Sequence, residues 1–297
     1  MPSQHSFVFK RGFDWGVDAS DGAFAPGYDF ATPDQPFEFN ASGARPGGGG
    51  GGKPGGGAAS YTSGDAGVVD SQEFNIHIDF AGKWTAAQQA VVIQAADAWS
   101  QIITGDIHDD LDLQGTLVDD LSLTFSIGRI DGAGSVTTGV NTLAQTTNLV
   151  VRDAGTEDQW LPLTASIRLD STDFKNPDLN GLWQAIVMHE MGHALGFASP
   201  IFQALNLVDG SGHFTGTQAA VAYGGAVPLS ADGSHWTEGF SPNGSPLSND
   251  LMTPLFTAGE QTLLSDATLG AFADLGYTVQ DLSPGSSYLV LNDLWQV

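Results

Sequence analysis

The chain has 297 residues, 34 of them acidic and 9 basic, a formal net charge of −25 and no cysteine. A surface this acidic is repelled by nucleic-acid phosphates and by anionic membranes, and no run approaches the ~18 apolar residues of a membrane helix. Without disulfides, stability must come from packing or bound ions, and 41% hydrophobic residues over this length can fill the core of one sizeable domain or two small ones.

Residues 1–70 read differently from the rest. The N-terminus, MPSQHSFVFKRGFDWG, has no apolar h-region, so a Sec-type signal is not expected. An acidic, aromatic segment follows, with Phe7, Phe9, Phe13, Trp15, Phe24, Tyr28, Phe30, Phe37 and Phe39. It leads into the glycine linker GARPGGGGGGKPGGGAA at 43–59. Composition fits a disordered tail, and the aromatics fit a docking or inhibitory pro-segment. Folded structure is expected from Ser71 to about residue 282.

Phe74, Ile76, Ile78 and Phe80 alternate with polar residues, which predicts a half-buried strand. Over 85–103, Val91, Val92, Ala95, Trp99, Ile102 and Ile103 share one helical face, and Thr85 suits the N-cap. Short strands are predicted at 121–127, 147–152 and 163–169, and a second helix at about 180–195. A long stretch of loop signals then runs to residue 250, before a third helix near 258–275. The order predicts an α+β or α/β domain with one sheet backed by long helices.

Residues 189–193 read His-Glu-Met-Gly-His. Histidines at i and i+4 on a helix point the same way and can grip one metal ion. Glu190, beside the first, can reach a metal-activated water, take its proton and pass it to a leaving amine. The preceding turn, Ala185 to Met188, is apolar, so histidines entering it need partners for their ring nitrogens. A catalytic zinc requires a third ligand. The short extended pattern would place a histidine at 199, where this chain has serine. His5 lies in the tail, His77 faces outward on a strand and His108 sits in an acidic loop, which leaves His213 and His235. His235 is the stronger candidate because it lies just upstream of Leu251-Met252-Thr253-Pro254.

These motifs, with FTGTQAAVAYGGAVPL at 214–229, His235-Trp236 and ATLGAFADLGY at 267–277, resemble the leishmanolysin-like branch of the metzincin zinc peptidases. The resemblance runs from about Ser71 to Val279. It implies a metzincin-like domain, a twisted sheet with an active-site helix and a C-terminal helical subdomain. It further implies one zinc on His189, His193 and His235, with Glu190 catalytic and Met252 forming a methionine turn beneath the metal. IDGAG at 130–134 and LPLTASIRLDSTDF at 161–174 resemble the family's approach to the metal helix. Lacking cysteine, the chain cannot use the disulfides or cysteine-based latency of eukaryotic members, and Pro254 stands where some metzincins carry a tyrosine.

Met252 by itself would read as a core methionine and Gly196 as a helix C-cap. The Asp-rich loops at 106–112 and 170–173 could take calcium. The expected activity is zinc-dependent endopeptidase, with residues 163–169 offering a sheet edge to an extended peptide. A non-catalytic zinc-stabilised binding or adhesion module is the alternative, and a site using Glu260 as third ligand is the alternative within the enzyme class. The expected partners are protein or peptide substrates of a monomer, without nucleic acid or membrane insertion. Residues 283–297 read as a C-terminal tail. Its end, Asp293 to Val297, fits the uncleaved signal of a type I exporter and hence secretion, while Tyr288–Leu291 also fits a final strand.

Overall fold

The computed structural model describes residues 57–65, 67–131, 142–156, 158–175, 181–239, 242, 247–256, 262–280 and 288–290. The segment 1–56, Glu260, and residues 283–287 and 291–297 of the C-terminal tail lie outside these.

The alternating segment that begins at Phe74 forms β2 (Ile76–Ala81), with Ile76, Ile78 and Phe80 buried. It lies in a five-stranded sheet with β1 (Ser60–Thr62), β5 (Leu121–Gly128), β6 (Ala144–Val151) and β7 (Pro162–Asp170), in the order β1-β2-β5-β7-β6. β2, β5 and β7 run parallel, while β1 and β6 are antiparallel to their neighbours. The numbering also includes the small hairpin β3 (Asp110–Leu111) and β4 (Leu117–Val118).

Two expectations change here. Folded structure starts before Ser71, because Ser60–Thr62 pairs with Asp79–His77 of β2. Three residues with one inward aromatic, Tyr61, carry too little alternation to announce a strand. The segment 163–169 is not a sheet edge: β7 lies between β5 and β6, and β6 is the outermost strand on that side. The central position of β7 matches its almost continuous burial, whereas β6 carries the hydroxyls and amides of an edge.

Helix α1 (Ala86–Ile102) starts where Thr85 predicts. The Thr85 hydroxyl accepts from Gln88 N–H and the Gln88 side chain accepts from Thr85 N–H, a complete capping box. Helix α2 (Trp183–Ala194) packs against α1, β6 and β7 and is buried along its whole length. Trp99 of α1 ties the two helices together, its indole N–H donating to Met188 O at 3.0 Å. α2 ends in a Schellman motif: Gly196 N–H donates to His193 O, Phe197 N–H donates to Gly192 O, and Gly196 has φ +102°. Gly196 is therefore the stop expected of it.

The stretch after α2 is more ordered than its loop signals suggest. It holds α3 (Ser199–Ala204), β8 (His213–Phe214), α4 (Thr217–Tyr223) and β9 (Val227–Pro228), with β8 and β9 paired. Both helices are short enough for glycines and polar residues to hide their periodicity. The helix expected at 258–275 is α5 (Asp266–Leu275), capped by Ser265, whose hydroxyl accepts from Thr268 N–H. Thr262–Leu264 ahead of it is β10, paired antiparallel with β11 (Tyr288–Val290). The C-terminal segment thus contains the strand alternative, paired with β10 rather than the main sheet. Among the described residues, no helix is long and apolar enough to cross a membrane.

Candidate metal centre

His189, His193 and His235 converge beneath the surface, at 0%, 1% and 2% exposure. Their Nε2 atoms form a near-equilateral triangle with sides of 3.0, 3.1 and 3.2 Å. Each Nδ1 faces an acceptor: Leu251 O at 2.6 Å for His189, Phe197 O at 2.7 Å for His193, and Asp232 Oδ2 at 2.8 Å for His235. A carbonyl or carboxylate oxygen cannot donate, so every Nδ1 carries its proton and every neutral ring turns a lone pair inward from Nε2. Three lone pairs at this spacing repel one another unless a cation lies among them. The group can hold a metal ion.

The electrostatics agree with this geometry. Burial pushes the His189 pKa down to about 3, helped by the neighbouring His235, and burial with the other two rings holds His193 well below the ordinary imidazole range. His189 and His193 are therefore disfavoured as cations, and a metal needs its imidazole ligands unprotonated. Asp232 is half exposed. Burial raises its pKa, but the hydrogen bonds it accepts from His235, Ser230 and Ser234 outweigh this, and the carboxyl is held below its usual range. Ser230 hydroxyl and Ser234 N–H fix its other oxygen, Oδ1.

The chain after α2 brings His235 back to the helix. Ser199, at the position where the short motif would have a histidine, donates its N–H to Ser234 Oγ at 2.9 Å. Trp236 N–H donates to Met252 O, tying the histidine loop to the Leu251–Met252 turn. That turn is organised by the buried Asp250. Its Oδ1 accepts from Met252 N–H and the Thr268 hydroxyl, and its Oδ2 accepts from Ser265 N–H. Met252 is fully buried, with its sulfur against Gly192 of α2: a Cβ on Gly192 would lie 2.6 Å from Met252 Sδ. Met252 thus packs directly against the helix that carries His189 and His193. Phe256 meets the His189 ring edge-to-face at 5.2 Å.

Glu190 is fully buried on the same helix. Burial raises its pKa to about 8, against the lowering effect of a hydrogen bond from Thr146 of β6. The Thr146 hydroxyl lies 2.6 Å from Glu190 Oε2 and 2.9 Å from Glu190 O, and Oε1 has no hydrogen-bond partner among the described residues.

Among the described residues, the other histidines stand apart from this group. His77 contacts Thr62 and Asp79, His108 is exposed, and His213 lies beside Asp209. Two carboxylate groups also form among the described residues, Asp106-Asp119-Asp120 and Asp131-Asp170-Asp173, drawing in part on the loops considered for calcium. Gly192, Thr146, Asp232 and Asp250 were not singled out from the sequence. Asp232 had a local signal, three residues before a histidine in a glycine-rich loop, whereas Thr146 lies 44 residues from its partner. No protein-family model and no curated protein matches the chain.

Proposed function

We propose that the protein is a zinc-dependent endopeptidase. The observation that supports it most is the triangle of inward Nε2 lone pairs with a buried carboxylate on the adjacent residue. Tetrahedral zinc with bonds of 2.0–2.1 Å spaces its nitrogen ligands about 3.3–3.4 Å apart, close to the separations found. Imidazole also suits zinc better than it suits calcium or magnesium. Zinc held there supplies Lewis acidity, polarising a carbonyl and bringing the pKa of a water to about 7. Glu190 takes a proton at its carboxylate and returns it to the departing amine. A purely structural site has no need of that carboxylate. The unpaired side of β6, rather than β7, is the edge to which an extended peptide would add, because Thr146 of β6 already touches Glu190. A secreted location suits such an activity.

The test is digestion of casein with and without a zinc chelator, beside Glu190→Ala. The variant is expected to keep one zinc per chain and the native fold while losing turnover by about 10²–10⁴-fold. His235→Ala is expected to lose tight zinc binding, and full zinc and activity in that variant would defeat the ligand assignment. A zinc-loaded wild type that cuts no unfolded protein would point instead to a zinc-stabilised binding module.

A further inference from the structure

We infer that Thr146 is a positioning residue for Glu190, an inference that rests on the peptidase reading. Glu190 lies on a fully buried stretch of α2, and a carboxylate there, unless held, can rotate about its side-chain torsions or pair with whatever donor is near. Thr146 hydroxyl is the partner that fixes it, a short hydrogen bond of 2.6 Å to Oε2. The same hydroxyl is 2.9 Å from the Glu190 carbonyl, so the carboxylate and the backbone of the residue both lie within reach of its single proton. With Oε2 engaged, Oε1 is left without a hydrogen-bond partner among the described residues. That oxygen is the one free to work on a proton.

The hydroxyl suits both forms of the carboxyl. It donates to Oε2 when Glu190 is ionised. When Oε2 carries a proton, the hydroxyl accepts it and donates instead to the Glu190 carbonyl. Threonine is also stiff about χ1, and in a strand its branched side chain is at home. Thr146 is buried and pairs with Ile167 of β7, so the hydroxyl is presented by the sheet and not by a loop. β6 is the outermost strand, so the residue that orients the base belongs to the strand at which a peptide would dock. A peptide added to β6 would therefore be registered against the same backbone that orients Glu190.

Thr146→Val keeps the shape and removes the hydroxyl, while Thr146→Ser keeps the hydroxyl on a looser side chain. Measured on the full chain with zinc and fluorescently labelled casein, Thr146→Val is expected to lower kcat about 10–100-fold with KM within twofold and zinc content unchanged. Thr146→Ser should recover most of that loss. Wild-type kcat in Thr146→Val, or a serine variant as impaired as the valine one, would overturn the assignment. A second readout needs no activity. In chelator-treated protein, Thr146→Val should lower the denaturation midpoint more in the wild-type background than in Glu190→Ala, and equal shifts in the two backgrounds would overturn the contact. A wild type that cuts nothing sinks the peptidase reading and the catalytic half of this one, while the denaturation cycle still decides whether Thr146 holds the carboxylate.

Discussion

His235 depends on Asp232 for its orientation, and Asp232 is itself fixed by Ser230 and Ser234 within the same turn. A carboxylate behind a histidine ligand sets the tautomer and raises the basicity of the ring. Asp232→Ala is therefore expected to weaken zinc binding about 10–100-fold without unfolding the chain, read by competition with a chromophoric chelator. Affinity equal to wild type would show that the loop alone orients the ring. Asp250 has a different task. Replacing it with alanine leaves Met252 N–H, Ser265 N–H and the Thr268 hydroxyl in a buried place without their acceptor. Each such group costs about 1–3 kcal/mol, so Asp250→Ala should be among the more destabilising substitutions, by about 3 kcal/mol or more in a denaturant titration. Of these residues His189, Glu190 and His193 were legible because their spacing alone states a chemistry, whereas His235 was preferred over His213 only for its place upstream of Leu251-Met252-Thr253-Pro254 and through the resemblance. Asp250, Thr146 and Gly192 were not, since a buried aspartate, a strand threonine and a helix glycine show their purpose only against partners brought by the fold.

At the scale of elements, α4 and α5 approach closely because Gly270 has no side chain. A Cβ there would lie 2.6–2.8 Å from the backbone of Gln218 and Ala219, which cannot rotate away. Asp274 on the same helix caps α4, accepting from Gln218 and Ala219 N–H. Gly270→Ala is expected to force the helices apart at a cost of about 1–3 kcal/mol, measured as a lower denaturation midpoint. Gly192→Ala makes the informative comparison, because the atom it meets is the end of a flexible methionine. That substitution should be milder for stability and felt instead in zinc affinity. Unchanged stability in Gly270→Ala would mean that α4 and α5 pack more loosely than this contact indicates. The helices with strong signals, α1 with its Thr85 cap and α2 with its apolar run, were readable to within a few residues. α5 was read too long because Glu260 to Ser265 continues its apolar spacing, and only the Ser265 cap marks the true start. The edge role expected of β7 failed for a related reason: alternation reveals which face is buried, not which neighbours pair on either side.

For the whole molecule, the boundary of the folded domain carries the last prediction. β1 was read as tail, yet it covers one edge of the main sheet and is tied to α1 as well as to β2. Tyr61 hydroxyl donates to Asp97 at 2.6 Å. The Ser63 hydroxyl contacts the Ser100 hydroxyl, and Ser63 N–H donates to Ile76 O at 3.1 Å. Tyr61 is buried at 6% exposure, so removing it uncovers an aromatic-sized patch of the core along with the hydrogen-bonding edge of β2. Burying such a ring is worth about 1.5–3 kcal/mol, and each lost hydrogen bond about 0.5–1.5 kcal/mol. An uncovered strand edge next to exposed apolar surface is also a template for pairing between copies. A chain trimmed to start at Gly57 is therefore expected to fold and to bind zinc with the affinity of the full chain. One trimmed to start at Ser71 should be less stable by several kcal/mol and should self-associate, as seen in denaturation midpoints and light scattering. Because His189, His193 and His235 lie on α2 and in the segments beyond it, zinc binding should persist in whatever fraction of the shorter chain remains folded. Equal stability of the two trimmed chains would show that β1 is an ornament on the sheet, and that the domain begins where the alternating pattern at Phe74 first suggests.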